Sequence, residues 1–236
     1  MLTRRLALGI FTALALASCA PAEQPPAPPT PAAAPAPSQE TTVSDHQLLR
    51  AADAGDIGAV RAALGAGANV EARDEHRRTP LLLAALGDHV DVARELVRAG
   101  ADPDAQDDRR DTPFLVTGVT GSVDMLETLL PADPDLTLTN RYGGTALIPA
   151  GEHAHVEYLR AAVRTGIDVD HVNDLGWTAL LEAVVLGDGG PRHQQAVQAL
   201  LDGGADPSIP DRDGVTALQH AERDGHTDLA RILRST

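Results

Sequence analysis

A pattern that recurs at a fixed interval restricts the fold of this chain more than any other feature of its sequence. A threonine opens an apolar segment every 33 residues, with one longer step of 38 residues before the last copy. These anchor threonines are Thr79, Thr112, Thr145, Thr178 and Thr216. A period of this length indicates one supersecondary unit that buries its apolar face only by stacking on its neighbours.

The stretch from Thr79 to Asp107 contains one complete unit. Its opening Thr-Pro is typical of a helix start, because Pro80 has a preset φ and no hydrogen-bond donor to lose there. The apolar residues 81–86 predict a short first helix that ends at Gly87. A second apolar pattern at helical spacing ends at Gly100, the usual place for a C-terminal glycine. The unit is therefore two antiparallel helices and a turn.

In this repeated unit the chain resembles the ankyrin-repeat family, whose helix–turn–helix plus β-hairpin unit has the same period and a Thr-Pro-Leu-His-like helix start. The resemblance covers roughly His46 to Arg234. It implies a mainly α fold, an ankyrin-repeat solenoid of six helix–turn–helix units joined by β-hairpin-like turns. The expected repeats are 44–73, 74–106, 107–139, 140–172, 173–210 and 211–236. Because ankyrin arrays bind many unrelated partners, the resemblance says little about function.

Residues 1–19 have the pattern of an export signal. Two arginines precede an apolar segment, Leu6 to Ala17, that is too short to span a bilayer. The sequence Leu16-Ala17-Ser18-Cys19 resembles the lipobox of bacterial lipoproteins, which implies that Cys19 is acylated and becomes the mature N-terminus. Ordinary cleavage after Ala20 is the alternative, and we favour the lipoprotein because Cys19 is the only cysteine. We therefore expect a lipid-anchored extracytoplasmic protein, sorted to the outer membrane and facing the periplasm.

Residues 20–43 predict a disordered tether between this anchor and the repeat domain at 44–236. Pro, Ala, Ser and Thr dominate there, so the segment has too little hydrophobic bulk to order itself. Proline-rich chains favour the extended polyproline II form of about 3.1 Å per residue, which lets the tether reach on the order of 70 Å. The repeat domain is expected to start its first helix at Ser44 or Asp45, both good N-cap residues.

Composition and motifs argue against several classes of function. The formal net charge is −15 and every basic residue is arginine, so the surface repels phosphate backbones and nucleic-acid binding is not expected. The sequence contains no Gly-x-Ser-x-Gly, His-Glu-x-x-His, Gly-rich phosphate loop or Cys-x-x-Cys. We predict a monomeric protein that is not an enzyme, has no catalytic or metal-binding residues and no cofactor, and binds a protein partner.

The histidines indicate a structural role, with one alternative. His89, His155 and His226 occupy the Gly-His position between paired helices, where the resemblance implies a structural role. His153 and His155 are two residues apart, so on a helix they would face different directions and not chelate one metal. The alternative function is a sensor or catalytic module in which four residues near the repeat-five loop hold a metal or a small molecule. Those residues are Glu152, His153, His171 and His193.

The partner-binding surface is expected on the concave face formed by the hairpin tips and the first helices, where ankyrin arrays usually bind. The candidate residues are Arg78, Arg109, Arg141, Tyr142, Leu175 and Trp177 at the tips and Glu152 and His153 on a first helix. Tyr142 and Trp177 stand on adjacent tips and resemble the aromatic anchors of interface hot spots. Alternatively, Trp177 covers its own hairpin, as bulky residues often do there in the family. Arg77 and Arg110 replace the usual turn glycine, which predicts left-handed backbone strain.

Other positions depart from the regular pattern of the repeats. Gly118, Pro131 and Pro149 are expected to weaken the helices of repeats three and four. Repeat five carries five extra residues within 188–193, between its two helices. The segment Leu186-Gly187-Asp188-Gly189-Gly190 also resembles a subgroup of bacterial exported ankyrin proteins, which supports secretion and names no partner.

Overall fold

A computed structural model describes residues 42–235 of the chain, which belong to one compact unit. The predicted signal peptide, Cys19 and the tether up to residue 41 lie outside the described residues. Across 42–235, no helix is both long enough and apolar enough to cross a membrane.

Twelve α-helices occur within residues 42–235, arranged as six successive pairs. In chain order they are α1 (Val43–Asp53), α2 (Ile57–Gly65), α3 (Pro80–Leu86), α4 (Val90–Arg98), α5 (Pro113–Thr120), α6 (Val123–Leu129), α7 (Leu147–Glu152), α8 (Val156–Ala162), α9 (Ala179–Val185), α10 (Pro191–Asp202), α11 (Ala217–Arg223) and α12 (Thr227–Arg234). A single turn of 3-10 helix, Leu130–Ala132, follows α6 and contains Pro131. First helices of successive pairs contact one another, and so do second helices, which makes the array two layers deep. The predicted fold class is confirmed.

The anchor threonines start the first helices because their side chains accept hydrogen bonds that a helix N-terminus cannot satisfy internally. Thr79 Oγ1 accepts from the N–H of Leu82 at 3.2 Å, and Thr178 Oγ1 accepts from the N–H of Leu181 at 3.2 Å. Proline follows Thr79 and Thr112 at the first helical position, where its missing N–H costs nothing. The same local signal therefore sets the same helix start in repeats two, three, five and six.

Alanine and leucine on the seams between helices form the core along the array. Two clusters of buried residues make it up, one from repeats one to three and one from repeats three to six. One aromatic residue in the core, Tyr158, is fully buried. Its hydroxyl donates to Thr117 Oγ1 at 2.7 Å, and Thr117 in turn donates to the carbonyl of Phe114 at 2.7 Å. These bonds satisfy both hydroxyl groups inside the core.

Histidines between the paired helices join repeats two, four and five to the repeat before each of them. Nε2 of His89, His155 and His193 lies 3.0, 3.1 and 3.1 Å from the backbone carbonyl oxygens of Asp53, Val119 and Glu152, respectively. These contacts confirm the structural role expected for His89 and His155. In repeat five, which carries the insertion, His193 makes this contact. His193 is one of the residues of the alternative metal site.

The first helix begins earlier than expected. Thr42, rather than Ser44 or Asp45, is the N-cap of α1, and its Oγ1 accepts from the N–H of Asp45 at 3.1 Å. Asp45 Oδ2 in return accepts from the N–H of Thr42 at 2.7 Å. This reciprocal pair satisfies two donors at once, which makes Thr42 the better start. Val43 therefore already belongs to α1, one residue before the expected start of the repeat domain.

Pro149 disturbs the first helix of repeat four, as its missing N–H predicts. Helix α7 begins two residues after Thr145, whereas α9 begins one residue after Thr178. The carbonyl of Thr145 accepts from the N–H of Ile148 at 3.2 Å, because Pro149 offers no donor for the usual bond. Thr145 Oγ1 is buried and has no hydrogen-bond partner within residues 42–235. Repeat four therefore starts with weaker hydrogen bonding than repeats two, three and five.

Candidate functional site

Each hairpin turn is organised by an Asp or Asn five residues before the anchor threonine. In repeat four, Asn140 Oδ1 accepts from the N–H groups of Tyr142 at 2.9 Å and Gly144 at 3.1 Å. The N–H of Asn140 donates to the carbonyl of Gly144 at 3.0 Å, which closes the turn. The equivalent residues in the other hairpins are Asp74, Asp107, Asn173 and Asp211. Because these side chains make the same contacts, the tips share one geometry.

Backbone hydrogen bonds join one hairpin tip to the next. The N–H groups of Asp108, Arg141 and Asp174 donate to the carbonyls of His76, Arg109 and Tyr142 at 3.2, 3.0 and 2.9 Å, respectively. We call the surface formed by residues 75–78, 108–111, 141–144 and 174–177 the tip edge. Its backbone is fixed by these bonds, so side chains at equivalent positions recur along it at the spacing of the repeats.

Tyr142 and Leu175 occupy equivalent positions on adjacent tips, and both are exposed. The exposed fraction is 57% for Tyr142 and 56% for Leu175. Large apolar side chains exposed next to each other mark an interaction surface, whereas a single one does not. The guanidinium carbon of Arg141 lies 4.6 Å from the centre of the Tyr142 ring, and Arg141 Nη2 donates to the Tyr142 hydroxyl at 2.6 Å. This stacking holds the ring in place.

Trp177 is not held outward as the hot-spot prediction requires. Its side chain is half buried and packs against the core, which agrees with the alternative that Trp177 covers its own hairpin. Arg78 is also engaged within its hairpin, where its Nε donates to Asp74 Oδ2 at 2.7 Å. Arg109 and Arg141 are exposed. Of the candidate residues on the tip edge, Tyr142, Leu175 and these two arginines are therefore exposed, whereas Trp177 is half buried.

The two candidates on the first helix of repeat four lie at its end. Glu152 is the last residue of α7 and is half buried, and the next residue, His153, is exposed. His153 and His155 lie outside the helices, and their rings meet edge to face with centres 5.6 Å apart. The expectation that these histidines face different directions is therefore wrong, because Ala154 has a left-handed φ of 49° that turns the chain between them.

The residues of the alternative metal or small-molecule site are directed at separate partners. His171 Nε2 lies 2.6 Å from the carbonyl oxygen of Gly143, and His193 Nε2 lies 3.1 Å from that of Glu152. Among residues 42–235, no group of three or more His, Cys, Asp or Glu side chains is placed to hold a metal ion. The geometry of these residues therefore gives the metal alternative no support.

Comparisons with known proteins agree with the architecture of the array. A family model described as "Ankyrin repeats (3 copies)" matches residues 48–140 and 114–211. The chain belongs to the ankyrin repeat family. Ankyrin repeats generally mediate protein–protein interaction, and proteins built from them are typically non-enzymatic interaction scaffolds.

Solved ankyrin structures resemble most of this chain. An ankyrin repeat domain from Acinetobacter baumannii AYE is 44% identical, with a TM-score of 0.76, over 80% of this chain and 96% of that one. The ankyrin repeat protein EF0377 is 37% identical, with a TM-score of 0.77, over 82% and 98%. The ankyrin repeat domain of Bcl-3, a member of the IkappaB family, is 29% identical, with a TM-score of 0.72, over 80% and 85%.

A curated relative is similar over a shorter stretch. The putative ankyrin repeat protein YahD of Escherichia coli (strain K12) is 45% identical over 53 residues, which is 22% of this chain. The match spans about a quarter, 26%, of the length of YahD.

Two hairpins of this ankyrin array carry arginine where the last three carry glycine. Arg77 and Arg110 have φ of 61° and 62°, which confirms the expected left-handed backbone. The glycines at the equivalent position are Gly143, Gly176 and Gly214. A side chain in this region costs about 1 kcal/mol relative to glycine. The exposed ion pair between Arg77 Nε and Asp108 Oδ1, 3.8 Å apart, offsets at most part of that cost, since such pairs contribute about 0.2–1 kcal/mol.

Replacing both Arg77 and Arg110 by Gly is therefore expected to raise the free energy of unfolding by about 1 kcal/mol. About 1 kcal/mol of strain is relieved at each position, and the loss of the exposed ion pair and the extra conformational freedom of glycine in the unfolded chain offset part of the sum. Urea unfolding of the double variant and the wild-type protein measures the change. Arg109→Gly is the matched control, since Arg109 lies on the same tip as Arg110 without a left-handed φ, and it should bring no gain. A double variant less stable than the wild type would show that the arginine contacts stabilise the array.

A buried carboxyl that sequence reasoning missed supports the hairpin of repeat five. Asn173 Nδ2 donates to Glu182 Oε1 at 2.8 Å, and both residues are buried. Asn173 is the residue that organises the turn carrying Leu175 and Trp177, so Glu182 fixes this turn from α9. Burial raises the pKa of Glu182 from 4.5 to about 7, and the charge of Glu152 acts in the same direction.

The next ankyrin repeat makes the same link with different residues. His220 Nε2 lies 2.7 Å from Asp211 Oδ2, and both side chains are buried. Glu182 and His220 each stand four residues after an anchor threonine, where repeats two and three carry Leu83 and Val116. A polar residue at an apolar position of the repeat was therefore the signal in the sequence for both links.

Proposed function

We propose that the chain is a monomeric protein-interaction scaffold outside the cytoplasm, tethered to a membrane by lipid on Cys19. In this proposal the tip edge of repeats four and five binds a protein partner. Membership of the ankyrin repeat family supports the scaffold role. The lipobox-like sequence that ends at Cys19 supports the tether and the location, with the outer membrane as the proposed site. The Pro/Ala-rich composition of the segment after Cys19 supports its proposed role as a spacer between the anchor and the repeat domain.

The exposure of Tyr142 and Leu175 side by side is the observation that carries the scaffold proposal. Binding free energy at protein interfaces is concentrated in a few large side chains that a partner covers, with polar groups around them. Arg141 stacks on the Tyr142 ring, so the ring loses little conformational freedom when a partner covers it. Leu175 extends the apolar surface across the backbone bond that joins the two tips.

Replacing Tyr142 and Leu175 by Ala is expected to reduce capture of the partner by roughly thirtyfold, because truncating a central anchor typically costs about 2 kcal/mol or more. Capture is measured with a photo-crosslinking amino acid at the exposed Asp174, in the cells that naturally produce the protein. Mass spectrometry of the crosslinked product identifies the partner. The fold should survive in this double variant, since both side chains are more than half exposed.

A matched control separates the tip edge from exposed apolar side chains in general. Val119 and Leu186 are exposed by 47% and 49% but lie outside the tip edge. The double variant Val119→Ala/Leu186→Ala should capture the partner as well as the wild type does. Equal capture by the two double variants would place the binding surface elsewhere on the array. A large fall in the melting temperature of Tyr142→Ala/Leu175→Ala would show that these two side chains pack within the fold.

The proposed anchor depends on the sulfur of Cys19. Replacing Cys19 by Ala should move the protein from the membrane fraction to the soluble exported fraction, because acyl chains on this residue would supply the membrane affinity. Cell fractionation of the variant and the wild type measures the change of location. The intact mass of the wild-type protein shows whether it carries lipid. A variant that stays with the membrane, together with a wild type that carries no lipid, would contradict the lipoprotein.

A further inference from the structure

The tip edge differs in charge from the rest of this acidic chain. The formal net charge of the protein is −15. Three successive tips nevertheless expose arginines, which are Arg77, Arg109, Arg110 and Arg141. The row of cations runs along repeats two to four and ends beside the exposed side chains of Tyr142 and Leu175. One surface thus combines guanidinium groups with an apolar end.

Two of these arginines are placed at a conformational cost. Arg77 and Arg110 have the left-handed φ that glycine has at the equivalent position of the last three hairpins. Their contacts within the array are long, because Arg77 Nε lies 3.8 Å from Asp108 Oδ1 and Arg110 Nη2 lies 3.5 Å from Thr139 Oγ1. Exposed contacts of this kind contribute little to stability. Backbone strain that internal contacts do not offset indicates that these side chains serve recognition.

We propose that the tip edge of repeats two to five binds an extended acidic segment of a partner protein. Carboxylates of this segment meet the guanidinium groups, and one of its apolar side chains lies on Tyr142 and Leu175. Planar guanidinium groups match carboxylates in a bidentate geometry that lysine lacks, and every basic residue of this chain is arginine. The inference rests on the proposed function, because it names the chemistry of the partner for the same surface.

The spacing of the repeats sets the spacing of the acidic residues. Packed helices lie about 8–10 Å apart, so the equivalent residues Arg77 and Arg110 recur at about that distance on successive tips. An extended chain advances about 3.3 Å per residue. The proposed segment therefore carries Asp or Glu at about every third residue, with a large apolar residue at the end that meets Tyr142.

Acidic residues on the same tips favour a protein segment over a phosphate polymer or an anionic lipid surface. Glu75, Asp108 and Asp111 alternate with the arginines along the tip edge. They repel an unbroken row of phosphates, whereas separate carboxylates with neutral residues between them can face the arginines alone.

Synthetic peptides test the inference directly. The probe is a fluorescein-labelled peptide of repeated Asp-Ser-Ser triplets ending in Leu, and the reference peptide has Asn in place of each Asp. Binding to the purified full chain is followed by fluorescence anisotropy. The acidic peptide is expected to bind about tenfold more tightly than the reference peptide, and its advantage should shrink as salt is added because the charges at the tips are exposed.

The decisive variant is Arg77→Gly/Arg110→Gly. It is expected to bind the acidic peptide about tenfold more weakly than the wild type, while its melting temperature does not fall, since glycine suits the left-handed backbone. A loss of binding then cannot be attributed to unfolding. Arg94→Gln/Arg98→Gln on α4 is the matched control, because it removes two charges away from the hairpins and should bind like the wild type.

Several outcomes would contradict the inference that the tip edge binds an acidic segment. They are equal binding of the two peptides, binding of neither, and equal losses in the Arg77/Arg110 and Arg94/Arg98 variants. Binding of phosphatidylglycerol vesicles without binding of the acidic peptide would assign the arginines to a lipid surface instead. Crosslinking at Asp174 separates this inference from the proposed function. If the partner is still captured while the acidic peptide does not bind, only the inference of an acidic segment is contradicted. If Tyr142→Ala/Leu175→Ala leaves capture unchanged, the proposed binding surface is contradicted.

Discussion

Replacing Glu182 by Gln is expected to raise the free energy of unfolding by about 3 kcal/mol near pH 8 and to change it little near pH 4. Glu182 is buried on α9, where burial raises its pKa from 4.5 to about 7. The size of the effect follows from this difference between the folded and unfolded protein, because each unit of pKa corresponds to about 1.4 kcal/mol.

The direction of the effect follows from proton binding. The unfolded chain loses the Glu182 proton near pH 4.5, whereas the folded chain retains it up to about pH 7. The stability that this carboxyl contributes is therefore fully present below pH 4.5 and is lost as the pH rises through 7. Gln has the shape of a protonated Glu, and its Oε1 can accept the same hydrogen bond from Asn173. The variant therefore keeps at high pH the stability that the wild-type protein loses.

Thermal unfolding of both proteins across this pH range measures the effect. A gain of about 3 kcal/mol corresponds to a rise in melting temperature of roughly 6–12 °C near pH 8 for a domain of this size. Glu127→Gln is the control, because Glu127 is an exposed carboxyl on α6 and its replacement should shift the melting temperature little at any pH. If the Glu182→Gln and wild-type curves run parallel from low to high pH, the carboxyl does not retain its proton on folding.

Much of the fold could be predicted because its determinants are local and repeated. The side chain of Thr79 caps one helix with the same bond that Thr178 uses three repeats further on, and both bonds depend on residues three positions apart. The start of α1 was misplaced for an equally local reason. Thr42 closes a segment rich in Pro and Ala, so composition places it in the tether although its reciprocal bonds with Asp45 make it the cap of α1.

The candidate site could be predicted only in part, because exposure depends on packing between repeats. Tyr142 and Trp177 were both expected to point outward, yet Trp177 packs against the core while Tyr142 stays in solvent. Trp177 directly precedes its anchor threonine, whereas Tyr142 lies two residues nearer the tip than the residue equivalent to Trp177. The pairing of Glu182 with Asn173 spans nine residues and joins a helix to a turn, so helical periodicity alone does not reveal it.

Replacing Gly118 by Ala is expected to lower the free energy of unfolding by about 3 kcal/mol, the range of severe overpacking. Helix propensity alone predicts the opposite, since Gly118 lies within α5 and Ala is favoured over Gly in a helix by about 1 kcal/mol. A Cβ atom at this position would overlap the backbone oxygen of Ala146, the residue before α7 in repeat four. A backbone carbonyl in a packed array cannot move aside as the tip of a flexible side chain can. Repeats three and four would therefore have to separate.

Gly65→Ala is the matched control for this effect. Gly65 ends α2, and an added Cβ there would meet nothing within 4 Å, so this variant should gain up to about 1 kcal/mol from helix propensity. Urea unfolding of both variants should thus give changes of opposite sign. The positions equivalent to Gly118 in repeats one and two are Ala52 and Ala85, so alanine fits this position of those repeats. At Gly118 alanine does not fit, because the backbone of repeat four lies too close. Equal gains in the two variants would mean that Gly118 weakens repeat three only through its helix propensity, as the sequence alone had indicated.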